Sequence, residues 1–205
     1  MKPKKSLNAR NQPKQERSRE MQKAILSAAA YILERHGFSE FTTNKVAEKA
    51  GANIASLYQY YPNKEALLFH LHEIEWNETW NQLQRILTDR SRAPRERFRQ
   101  VIIEFFKSEA EEAKLRRALE QAQVLFEHSK EYKNLEKKAF EQFLDFMRDF
   151  SKYNNEAELL SNTRFTLNCV TGLASKVTSG TTELPDILKD AERLSRIFLR
   201  EFSIS

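Results

Sequence analysis

The sequence predicts an all-α fold, and three observations carry that expectation. Glycine and proline are scarce, four and five in 205 residues, too few for the many tight turns of a β-domain. Leu, Ala, Glu, Lys and Arg, all good helix formers, dominate the composition. Apolar residues also recur at spacings of three and four in segment after segment, the stripe of an amphipathic helix.

Taken in order, residues 1–17 come first, with Lys2, Lys4, Lys5, Arg10, Lys14 and Arg17, two prolines and almost no apolar side chains. Such a stretch buries too little to offset its ordering entropy, so a disordered basic arm is expected. From Ser18, the stripe Met21, Ile25, Ala28 and Ile32 predicts a first helix, with Gly37 at its left-handed end. Thr42 or Thr43 caps a short second helix that buries Val46, Ala47 and Ala50, and Gly51 ends it. Asn53 caps a third, Ile54 to Tyr60, and Pro62 separates that from a fourth. Two short helices joined by a Gly-containing turn and packed on a longer one are the pattern of a helix-turn-helix. A helical hairpin without a nucleic-acid role fits the periodicity too.

The fourth helix is expected from Asn63 to about Asp89, with Leu67, Leu71, Ile74, Leu83, Ile86 and Leu87 inward. Pro94 opens a fifth, which carries Phe98, Val101, Ile102, Phe105 and Phe106. Periodic stretches follow through Leu115 to Phe126 and Leu135 to Phe150. The last two helices are placed at about 156–178 and 184–203, so about nine in all. The expected organisation is an arm at 1–17, a helix-turn-helix domain at 18–65 and a larger helical domain at 66–205.

Charge is unevenly spread. Residues 1–62 hold eleven Lys/Arg against five Glu, a net +6, which leaves −1 of the chain's +5 for the rest. That asymmetry points to a polyanionic partner for the N-terminal third, and a merely solubilising basic tail fits the charge as well. The single cysteine, Cys169, excludes an internal disulfide and a cysteine-cluster zinc site. No Gly-rich phosphate loop or nucleophile–base pattern is present. His36, His70, His72 and His128 stand isolated, with His70 and His72 two apart and not facing one another. No enzyme activity, metal or cofactor is therefore expected. No apolar run is long enough for a membrane span, and the basic, polar N-terminus lacks the apolar segment of a secretory leader. The expectation is a cytoplasmic protein with no membrane partner.

The run Phe41-Thr42-Thr43-Asn44-Lys45-Val46-Ala47-Glu48-Lys49-Ala50-Gly51, followed by Ser56-Leu57-Tyr58-Gln59-Tyr60-Tyr61-Pro62-Asn63-Lys64-Glu65-Ala66-Leu67, resembles the DNA-binding signature of the TetR repressor family. The resemblance covers roughly residues 20–70. It implies a transcriptional repressor that binds double-stranded DNA as a homodimer on a palindromic operator. Thr42, Thr43, Tyr58, Tyr60 and Lys64 are then candidates for phosphate contacts, and Ile54, Ala55, Ser56 and Gln59 for the major groove. This chain has Tyr60 where the family usually has His, and Tyr61, where the family often has Phe, reads as core.

The resemblance further implies a ligand cavity among helices four to eight, whose occupation by a small-molecule effector releases DNA. Aromatic density there nominates Trp76, Trp80, Phe105, Phe126 and Phe143, and Arg164 and Asn168 are the polar candidates. An apolar or aromatic effector is expected, cationic if it stacks on the tryptophans. The alternative is a DNA-binding regulator without a small-molecule ligand, controlled by a partner or constitutive. The last two helices carry more apolar surface than one face of each needs. Leu160, Leu167, Leu173, Val177, Leu188, Leu194, Ile197 and Phe198 are therefore expected at a four-helix dimer interface.

Overall fold

The computed structural model describes residues 16–150 and 155–202. Among them are nine α-helices and no strand: α1 Glu16–His36, α2 Thr43–Lys49, α3 Ile54–Tyr60, α4 Lys64–Thr88, α5 Pro94–Glu111, α6 Ala113–Ala122, α7 Lys130–Phe150, α8 Glu156–Thr178 and α9 Leu184–Glu201. A single 3-10 turn, Gln123–Leu125, precedes α7. The all-α expectation holds. The basic arm lies outside the described residues except for Glu16 and Arg17, which open α1. No described helix is long and apolar enough to cross a membrane.

Local chemistry sets the helix ends. Thr42 accepts a bond from the Lys45 amide at 3.2 Å, Asn53 from Ala55 at 2.8 Å and Asn63 from Ala66 at 2.7 Å. Each satisfies one of the amides that a helix start leaves without a partner. α2 stops at Gly51, whose φ of +64° suits a residue without a Cβ. The Ala52 amide there reaches back to the Ala47 carbonyl (2.9 Å) and the Gly51 amide to Glu48 (3.1 Å), so the last turn closes on itself.

The chain forms two compact units. The first takes the described residues up to Trp76 together with Lys114–Leu135. Its core joins Ile25, Ala29 and Leu33 of α1, Val46 of α2, Leu57 of α3, Tyr61, Leu67, Leu68 and Leu71 with Leu115, Leu119, Phe126 and Tyr132. The second takes Asn77–Ala113 and the described residues from Glu136 onward. Its core is strongly aromatic: Phe98, Phe106, Phe143, Phe146, Phe150 and Phe198 pack with Leu83, Leu87, Ile102, Met147 and Ile187. α5 lies along α9, and Arg99 pairs with Glu192 across that seam.

Candidate nucleic-acid interface

In the first unit, α2 and α3 are held by what they bury. Val46 and Leu57 are fully buried, and Tyr61 closes the core beneath α3. Burial pushes the Tyr61 phenol up to about 12, with Gln22 acting weakly in the other direction. Tyr61 is therefore a neutral core residue over the whole range of ordinary conditions.

Ala55, Tyr58 and Gln59 are exposed on one side of α3, at the i, i+3 and i+4 positions that share a helix face. Ser56 is half-buried beside them. Ile54 and Tyr60 are half-buried and pack against the first core. Thr42 is exposed and occupied as the cap of α2, while Thr43 is half-buried.

Most of the nominated polar groups are engaged within the protein. The Tyr58 hydroxyl shares a 2.9 Å hydrogen bond with Thr43 Oγ1. The Tyr60 hydroxyl shares one of 2.9 Å with Ser18 Oγ, on the first turn of α1. Lys64 Nζ donates to the Phe41 carbonyl at 2.9 Å and stands 4.6 Å from the Phe38 ring centre and 5.4 Å from that of Phe41. Partial burial lowers its ammonium below the ordinary lysine value, opposed by Glu65. The two tyrosine bonds tie the C-terminal half of α3 to α2 and α1, and Lys64 ties the start of α4 to Phe41, so the hydroxyls and the ammonium form a pre-set rim beside the exposed face of α3.

Sequence reasoning missed Ser18. Its bond to Tyr60 spans 42 positions and depends on how α1 packs, which no local pattern announces. It also missed the cation–aromatic contact of Lys49 with Tyr31, 3.9 Å from the ring centre, with Arg35 at 6.0 Å on the same ring.

The nominated ligand residues are dispersed. Phe126 belongs to the first core, against Phe69, His72 and Tyr132 at 5.6 Å each. Phe143 is buried in the second core, and Phe105 and Trp80 are half-buried against it. Trp76 is half-buried on α4, one turn before Trp80. Arg164 and Asn168 lie on the exposed side of α8, with the Arg164 guanidinium 5.9 Å from the Phe140 ring. Of the nominated dimer residues, Leu160 and Ile197 are exposed, and Leu167, Leu173, Val177, Leu188 and Leu194 are half-buried. Phe198, only 2% exposed, fills its own core. Phe165, which was not nominated, is 56% exposed.

Comparison with known proteins bears on this geometry. Residues 25–71, from the middle of α1 into α4, match the profile of bacterial regulatory proteins of the tetR family. This match identifies residues 25–71 as a tetR-type regulatory domain. Proteins of that family are DNA-binding transcription regulators and not enzymes. No curated protein matches the chain. Among solved structures, a TetR transcription regulator from Haloarcula marismortui is similar at a TM-score of 0.72 and 16% identity, covering 90% of this chain and 98% of that one. The fatty acid degradation regulator FadR from Bacillus halodurans is similar at 0.70 and 16%, covering 90% and 96%. A SmeT–triclosan complex is similar at 0.65 and 21%, covering 90% and 92%. These likenesses show that the TetR-like fold extends over nearly the whole chain.

Proposed function

We propose that this TetR-family regulator is a homodimeric transcriptional repressor that reads a palindromic operator with α3 and is released by a small-molecule effector held in the second unit. The observation that carries the DNA reading is the exposed Ala55–Tyr58–Gln59 face, rimmed by Thr43, Tyr60 and Lys64, in the third of the chain with net +6. Gln59 suits a bidentate pair with adenine, and Ala55 an apolar contact with a thymine methyl. Tyr58, Tyr60 and Lys64 suit phosphate oxygens, which position the protein without specifying sequence. For the effector, the SmeT structure was solved with triclosan, and this chain has its own aromatic-rich second core. Each tenfold loss of DNA affinity requires the effector to prefer the released conformation by about 1.4 kcal/mol.

Selection from a random DNA pool supplies the operator and the first test. On that site, Gln59→Ala is expected to relax preference at one base pair per half-site, at about 1–3 kcal/mol. Lys64→Ala is expected to weaken binding to all sequences alike and to reduce the salt slope by about one per contact in each subunit. An unchanged slope with Lys64→Ala would remove that residue from the interface.

Ser18 acts in this reading as a positioning residue for Tyr60. Ser18→Ala and Tyr60→Phe should each weaken operator binding, and the double variant should be little worse than either alone. The expected coupling is about 1 kcal/mol, with Ser18→Thr restoring the wild-type affinity. Strictly additive losses would show that the bond does not serve DNA binding.

A further inference from the structure

Arg97 stands in the first turn of α5, 9% exposed, with Phe98 beside it in the aromatic core of the second unit. Its Nη1 donates to the Leu87 carbonyl at 2.6 Å, one of the acceptors that the end of α4 leaves without a helical partner. Its guanidinium carbon lies 5.1 Å from the centre of the Phe150 ring. Among the described residues its Nε has no acceptor, and no carboxylate pairs with it. A helix C-terminus and a ring face offset part of the cost of burying this cation. They do not supply the counter-charge that a buried guanidinium ordinarily has.

Two further buried polar groups in the same unit lack partners among the described residues. Trp80 Nε1 has no acceptor. It shares a stripe of α4 with Leu83 and Leu87, and seven residues place it about 10 Å along the helix from the carbonyl that anchors Arg97. Thr166, with no exposure at all, has an unpaired Oγ1 on the side of α8 that also buries Leu159 and Val170. Two N–H donors and a hydroxyl, one donor fully charged, call for acceptors. They do not suit the cationic effector that stacking on the tryptophans would favour.

We infer that the second unit takes an amphiphilic carboxylate, its head on the Nε edge of Arg97 and its apolar body along the Phe146 and Phe150 side of the core. The fork of a guanidinium matches a carboxylate with two parallel bonds, and Nη1 already holds the opposite corner in place. The inference rests on the effector reading above and names the chemistry of that ligand.

The test uses the full-length protein with a series of linear carboxylates, octanoate to hexadecanoate, each against the alcohol of equal length below its micelle concentration. Binding is followed by calorimetry and by the fluorescence of Trp76 and Trp80, the only tryptophans. Saturable binding of at least one acid is expected, with its alcohol weaker by about tenfold or more. Arg97→Gln should bring the acid down to the level of the alcohol. Arg97→Lys, which keeps the charge and can still reach the Leu87 carbonyl, should lie between and remains readable if the Gln variant fails to fold. No saturable acid, equal binding of acid and alcohol, or an Arg97→Lys protein that binds acid like wild type would each overturn the inference. Adding operator DNA separates it from the reading on which it rests. An alcohol that binds equally well and releases DNA sinks the Arg97 site and leaves the effector reading standing. An acid that binds through Arg97 without releasing DNA does the reverse.

Discussion

Phe165→Glu together with Ile197→Glu is expected to give a folded 24.1 kDa monomer that has lost specific operator binding by at least about 100-fold and keeps weak, salt-sensitive, non-specific binding. The two side chains are 56% and 53% exposed, large apolar groups on α8 and α9. The exposed side of α8 around Phe165 also carries Ala157, Ser161, Asn168 and Gly172, mostly small residues that let a second helix approach closely. A Cβ added at Gly172 would meet nothing within 4 Å in the single chain, so any crowding there would come from another copy. A two-fold arrangement uses the same patch twice, and one substitution is felt in both halves of the interface. Leu173 is a poorer target, because it is half-buried against its own core and a charge there would act on the fold as well as on assembly. Circular dichroism controls for folding, sedimentation reads the mass, and a half-site probe reads the remaining affinity. A double variant still sedimenting at twice 24.1 kDa would place the dimer seam elsewhere.

What the sequence made legible and what it hid divide along a physical line. The ends of α2 and α3 were readable because the groups that fix them lie within five residues of one another, as Thr42 does with Lys45 and Asn53 with Ala55. The long helices were readable because burial on one side imposes a period on the chain. Periodicity gives no sign of which core a stripe faces. Phe126 shares its composition with the aromatics of the second core, yet it packs on Phe69 and Tyr132 in the first. Phe198 lies on the apolar side of α9 with residues nominated for the interface, but it turns inward onto Phe98 at 6.3 Å. Arg97 lies between Arg95 and Arg99, both exposed, and nothing in that alternation distinguishes the buried cation from its neighbours. The Ser18–Tyr60 bond belongs to the same class, since partners brought together by tertiary packing leave no local mark.

Such packing also governs His72, whose effect on stability is expected to be confined to a particular pH window. Its ring lies 5.6 Å from those of Phe126 and Tyr132, on the first half of α4. Burial, with the Arg116 guanidinium adding to it, pushes its pKa down from 6.5 to about 4. In the unfolded chain the same imidazole takes up a proton near pH 6.5, while the folded protein keeps it neutral until about pH 4. Between those values the unfolded state binds more protons, so stability rises with pH there. The contribution of the neutral ring is complete above pH 7, declines as pH falls through 6.5 and is gone below about 4. The full span is about 3 kcal/mol, of which about 2 is lost between pH 7 and pH 5. His72→Phe keeps an aromatic ring against Phe126 and removes the titration. Denaturant unfolding of the first unit at pH 7 and pH 5 should therefore show the wild type losing about 2 kcal/mol more than the variant. Carboxylates common to both proteins cancel in that difference. Equal losses would mean that the ring is solvated enough to protonate in place. The same α4 segment begins at Lys64, on the rim of the α3 face, so acid that loosens the His72 cluster should weaken operator binding in the wild type before it does so in the variant.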